Sequence, residues 1–191
     1  MIKVLHCIGS PRIGGVERLV IELLVAQKRA GLHVDLMLDS REGEYYRYLQ
    51  ENNINITDSG IKSGYDFGFR QLKRIRSLSN QYNIVHLHNF SVLLSLSVKR
   101  AKTFYTIHGL SKGVRKEGTL KHLLRETLKK HFLNRFDFVI ANSEFTMENA
   151  RNHYGLSKVP CQVVLNGVKE GMMLPVGYYF IELKLQQGSG P

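Results

Sequence analysis

The 191-residue chain is poor in cysteine, with two, and in proline, with four, and it has no tryptophan. Cys7 and Cys161 stand too far apart in sequence for a disulfide framework or a structural zinc site, and no Cys-x-x-Cys occurs. Both are expected as buried thiols of a reducing compartment. No apolar run approaches the roughly 18 residues that a membrane span needs. The opening Met1-Ile2-Lys3-Val4-Leu5-His6 lacks the apolar length and cleavage pattern of a signal peptide, so a cytoplasmic protein is expected. Acidic residues are also scarce, 16 against 27 Lys plus Arg, for a formal charge of +11. The scarcity is local. Residues 60–135 carry 16 basic and 3 acidic groups, whereas each flank has a net charge of −1, so the basicity describes a patch. With 43% hydrophobic residues the chain has the composition of one globular domain, and intrinsic disorder is excluded.

Apolar periodicity switches between two and about 3.6 along the chain, the mark of alternating strands and helices. Strands are predicted at residues 2–8, 33–38, 54–56, 84–88, 103–107, 138–141 and 162–165. Helices are predicted from Val16 to a stop at Gly31 and at 44–51, 69–79, 91–99, 120–134 and 143–154. Seven strands alternating with six helices imply a Rossmann-like, three-layer α/β/α fold with a mostly parallel sheet. Ligands of such sheets bind at the carboxyl ends of the strands, near a switch in strand order. The loops after Ile8, His88, Ile107, Ala141 and Leu165 are therefore the candidate site.

The first loop places glycines at 9, 14 and 15. It is not a Walker A loop, because Gly15-Val16 stands where Lys and Ser/Thr are required, and it lacks the Gly-x-Gly-x-x-Gly spacing of a dinucleotide fingerprint. Two readings of Gly14-Gly15 remain open: bare N–H groups at a helix N-terminus that admit a ligand closely, or a tight turn needing positive φ. His86 and His88 share one face of their strand. With no third ligand nearby in sequence, they are expected as packed or hydrogen-bonded histidines, and no metal is expected. Asn89 ends that strand. His108 stands at a strand end beside Gly109, in a structural or a catalytic role. Ser143, followed by Glu144, is read first as a helix N-cap.

Five pieces in order, Gly14-Gly15-Val16-Glu17, Ile84-Val85-His86-Leu87-His88, Tyr105-Thr106-Ile107-His108-Gly109, Val139-Ile140-Ala141-Asn142-Ser143 and Leu165-Asn166-Gly167-Val168, resemble the N-terminal domain of family 4 glycosyltransferases of the GT-B fold. The resemblance covers residues 1–168. It implies an acceptor-side Rossmann-like domain of a retaining, metal-independent transferase with a nucleotide-sugar donor and a glycan or lipid-linked acceptor. It implies that Gly14 and Gly15 lie near the donor diphosphate and reacting sugar. His108 would orient the transferred sugar and stabilise charge in the transition state, Asn89 and Phe90 would border the acceptor, and Gly109 and Ser143 would line the site. The family continues past Asn-Gly-Val into a donor-binding domain. Here Lys169 follows, and residues 169–191 do not resemble the family's linker, so the chain is expected to be inactive without a separate donor domain.

Between Lys112 and Arg135 eight Lys or Arg interleave with Leu120, Leu123, Leu124, Leu128 and Phe132, predicting an amphipathic helix with a basic outer face. Arg70, Lys73, Arg74 and Arg76 form a second basic run. Besides solvated helix faces, these segments, 69–79 and 112–135, suit an anionic membrane surface. A non-catalytic basic module binding nucleic acid or a protein partner is the alternative. Nucleic acid ranks below the membrane, since recognised binding motifs are missing.

Overall fold

The structure is a computed structural model that describes residues 2–62, 68–109, 120–156 and 158–166, with only the backbone for 120–122. The tail 169–191, Gly167-Val168 and residues 112–119 of the basic segment lie outside the described residues. Seven strands, β1 (Lys3–Ile8), β2 (His33–Leu38), β3 (Asn55–Asp58), β4 (Ile84–Leu87), β5 (Lys102–Ile107), β6 (Phe138–Ala141) and β7 (Cys161–Val163), form one sheet in the order β3-β2-β1-β4-β5-β6-β7. All six pairings are parallel. The predicted elements are all present, with ends displaced by a residue or two for most of them.

Helices α1 (Gly15–Arg29) and α2 (Tyr46–Glu51) cover one face, and α3 (Phe69–Ser79), α4 (Val92–Ser97), α5 (Leu120–Leu133) and α6 (Glu144–Tyr154) contribute to the core on the other. This division follows from handedness: right-handed crossovers that move first toward β3 and then toward β7 must change face where the direction reverses, between β1 and β4. Alternation along each strand feeds two cores. Val4 and Ile8 pack with Val20, Leu23 and Leu24 of α1, while Leu5 and Cys7 pack with Ile75, Leu93 and Leu133.

Helix α1 stops where the sequence places Gly31, which has φ +85. The Leu32 N–H reaches the Gln27 carbonyl and the Gly31 N–H that of Lys28, both at 3.0 Å, so the last carbonyls are satisfied by a Schellman turn. Both cysteines are free. Cys7 is buried, and burial raises its thiol pKa, followed by the charge of Asp39; Cys161 is only partly buried, a departure from the expected pair of buried thiols. In α5, Phe132 and Leu133 are buried and Leu128 is half-buried, but Leu123 and Leu124 are 64% and 58% exposed, so the expected apolar inner face is only partly covered. Two of the α3 cations are engaged by backbone: Arg74 donates to the Asp58 carbonyl at 2.7 Å, and Arg76 reaches the Leu96 and Ser97 carbonyls that end α4.

Candidate active site

The crevice at the β1/β4 switch is bordered by the loop of residues 9–14. Gly14 is the N-cap of α1 with no side-chain cap, and Glu17 lies in the first turn. The loop is buttressed by the segment after β2. Glu44 accepts from the Ile13 N–H at 2.9 Å, and the Pro11 carbonyl accepts from the Tyr45 N–H at 2.9 Å. Bonds from the backbone N–H groups of Glu44 itself and of Ile13 hold the Glu44 carboxyl below its ordinary pKa. Gly43 makes this contact possible, since a Cβ there would lie 2.3 Å from the Pro11 backbone.

The positive-φ reading of Gly14-Gly15 fails, because Gly14 is extended at φ −167 and neither glycine is among those with positive φ. A Cβ added at Gly15 or at Gly109 meets nothing within 4 Å. Packing among the described residues thus gives no reason for glycine at either position, and both lie at the crevice end of the sheet, where a ligand would approach.

Register then assembles a polar stripe on the α1 face. His6 is paired with His86 across β1 and β4, and His86, His88, Thr106 and His108 follow on β4 and β5 at alternate positions. His6 and His86 are fully buried, and His88 is 4% exposed. His6 Nδ1 lies 3.0 Å from His88 Nε2, His88 Nδ1 lies 3.1 Å from His108 Nε2, and His86 Nε2 lies 2.7 Å from the Thr106 hydroxyl. The His86 and His88 rings are stacked at 4.1 Å between centroids, tilted by 32°. Burial lowers the His86 pKa to about 3. It holds His88 well below its ordinary value, aided by the neighbouring imidazoles, and brings His108 to about 4 with a smaller contribution from His86. At neutral pH these three imidazoles are uncharged.

No third ligand stands near His86 and His88 in sequence, and the fold brings one from a distance, since His6 from β1 joins them. One ring nitrogen from each of His6, His86 and His88 lies within 4.8 Å of the others, a spacing that could hold an ion. The signal for His6 was its same-face spacing from Ile8 and the Gly loop, but its use required knowing that β1 lies beside β4.

The other candidates fall around this stripe. The Asn89 amide lies with oxygen 2.9 Å from the Gly9 N–H and nitrogen 3.0 Å from the His88 carbonyl, tying the ends of β1 and β4 together. Phe90 packs into the core of the opposite face, 6.3 Å from the Phe132 ring. Ser143 caps α6 as predicted, its Oγ accepting from the Thr146 N–H at 3.1 Å. Asn142 donates to the His108 carbonyl at 2.9 Å, and its buried Oδ1 has no hydrogen-bond partner among the described residues.

The doubly wound, all-parallel sheet with flanking helices is Rossmann-like and matches the domains of GT-B glycosyltransferases. The chain belongs to glycosyltransferase family 4, whose family model matches residues 13–170. Among solved structures it is similar to HepE of Anabaena with UDP and glucose, at 18% identity and a TM-score of 0.65, over 98% of this chain and 50% of HepE. A glycosyltransferase of Rickettsia africae matches at 16% identity and 0.64, over 88% and 44%. A putative UDP-N-acetylglucosamine 2-epimerase of Listeria monocytogenes matches at 16% and 0.56, over 87% and 45%. At these identities the likeness concerns the fold, and the chain spans about half the length of each. No curated protein sequence matches the chain.

Proposed function

We propose that this domain is the acceptor-side half of a retaining, metal-independent glycosyltransferase that moves a sugar from a nucleotide-sugar donor to a glycan or lipid-linked acceptor. The observation that carries the reading is the placement, at the carboxyl ends of β1 and β5 on either side of β4, of a buttressed glycine loop and a neutral, half-buried His108. Family membership supports it, and a UDP-sugar is the donor class favoured by HepE's complex with UDP and glucose. His108 then orients the sugar through a hydrogen bond rather than through a fixed positive charge. Gly15 and Gly109 leave room for the ligand, whereas the Glu17 carboxylate fills the space over Gly14; Asn142 Oδ1 offers an acceptor beside His108, and Ser143 borders the site from its capping position. Asn89 holds the crevice in shape through Gly9.

Stabilisation of the departing diphosphate requires a donor-binding domain, on the same or a separate chain. Residues 1–191 alone should transfer no sugar from a panel of UDP- and GDP-sugars, and mixing with a donor-binding domain should restore transfer. Robust transfer by residues 1–191 alone refutes the division of labour. No helix among the described residues is long and apolar enough to cross a membrane. An anionic lipid surface is the proposed docking partner, because α5 exposes Leu123 and Leu124 beside cations. Co-sedimentation with anionic but not zwitterionic vesicles is expected; salt-dependent duplex DNA binding without vesicle binding would favour the nucleic-acid alternative.

A further inference from the structure

Gln27, buried at the end of α1, closes the histidine row from behind: its Oε1 lies 2.8 Å from His6 Nε2. The row then runs His6 Nδ1 to His88 Nε2 at 3.0 Å and His88 Nδ1 to His108 Nε2 at 3.1 Å, four side chains from α1, β1 and the ends of β4 and β5. An uncharged imidazole has one N–H and one lone pair. With the row uncharged, as burial demands, its polarity is decided at one end. The Gln27 carbonyl oxygen only accepts, so His6 carries its hydrogen on Nε2. Nδ1 of His6 is then the acceptor for an N–H on Nε2 of His88, and Nδ1 of His88 is the acceptor for an N–H on Nε2 of His108.

We propose that Gln27 is a positioning residue which, through His6 and His88, fixes the tautomer of His108 so that Nε2 carries the hydrogen and Nδ1 is a hydrogen-bond acceptor for the substrate. The proposal rests on the reading of His108 as the group that meets the sugar, and it names what that group selects. An acceptor at Nδ1 matches the hydrogen of a sugar hydroxyl and repels a phosphate or carboxylate oxygen, which offers none. The histidine would thus discriminate a neutral, hydroxyl-bearing ligand from the anionic part of the donor. A metal ion held by His6, His86 and His88 is the competing arrangement. An ion bound there would take lone pairs that the row uses between His6 and His88, so the two arrangements are spectroscopically distinct.

The test is a two-bond 1H–15N correlation of the histidine rings in the 191-residue chain at neutral pH, with metal content measured on the same sample. His6, His88 and His108 should each show a protonated, pyrrole-type Nε2 and a pyridine-type Nδ1, with no stoichiometric metal. Gln27→Leu should lower the preference of His108 for this tautomer by roughly tenfold. A wild-type His108 protonated on Nδ1, a folded Gln27→Leu with an unchanged tautomer, or bound zinc at one ion per chain overturns the proposal. The wild-type spectrum decides even if Gln27→Leu does not fold. Titrating a nucleotide sugar and an acceptor sugar separates the two readings: a row with the expected tautomers whose His108 nitrogens ignore both ligands refutes the proposed function and leaves the row standing.

Discussion

Mild acid should unfold this domain, and the histidines set how steeply. In the unfolded chain each imidazole takes up a proton as pH falls through about 6.5. In the folded chain His86 resists until about 3 and His108 until about 4, and His88 is also held well below its ordinary value. The unfolded state therefore binds more protons throughout the interval, so stability is complete above neutrality and is lost as pH falls. His86 and His108 each contribute about 1.4 kcal/mol per pH unit below 6.5, or about 2 kcal/mol between pH 7 and pH 5. His86 and His108 together contribute roughly 4 kcal/mol, with His88 adding in the same direction, a large part of the about 5–15 kcal/mol net stability of a typical domain. Asp137 does not mask the effect. Burial of Asp137 opposes ionisation but is outweighed by the Thr103 N–H, Lys102 and the Thr103 hydroxyl, so its pKa is lowered and it acts only below this window. Urea unfolding at pH 7, 6 and 5 measures the loss directly. His108→Asn should reduce the slope with pH by about 1.4 kcal/mol per pH unit. A total loss below about 1 kcal/mol would mean that the imidazoles are charged or solvated in the fold, and the neutral site would have to be abandoned.

Gly15→Ala should leave thermal stability unchanged or raise it by about 0.5–1 kcal/mol, since helix α1 begins there in open space. The same substitution should weaken sugar-nucleotide binding in a donor-domain-complemented assay, and unchanged binding would remove Gly15 from the site. His108→Ala in that assay should lower turnover by about a hundredfold or more. Tyr82→Phe should cost about 1–3 kcal/mol in urea unfolding, because the Tyr82 hydroxyl donates to buried Asp35 at 2.6 Å. Ser143→Ala should cost about 1 kcal/mol by the same measurement through loss of the α6 cap.

Which parts of this molecule could be read from its letters follows from the range of the interactions involved. Helix α1 announces itself by spacing and by Gly31, and Ser143 by its place before an apolar run, because caps and periodicities are local. His6 could not be assigned, since its neighbours belong to β4 and only strand order brings them together. Leu123 and Leu124 follow the helical stripe of a buried face, yet periodicity records a face and not whether anything covers it. Phe90 and Asn89 are adjacent in sequence and part ways for a similar reason, one side chain entering the lower core and the other crossing to Gly9.

The central pairing of β1 with β4 joins Val4 to Ile84, 80 residues later. During synthesis at about 5–20 residues per second, β1 waits roughly 4–16 s for its inner partner, longer than for β2. Until then β1, β2 and β3 present an open apolar edge, and the glycine loop and Gln27 exist without the histidines they serve. The crevice is therefore a seam between an early and a late half of the chain. A ribosome that stalls before β4 releases a product with neither a closed core nor a site, and such a product is marked for chaperones or proteolysis by the same edge that β4 would have sealed.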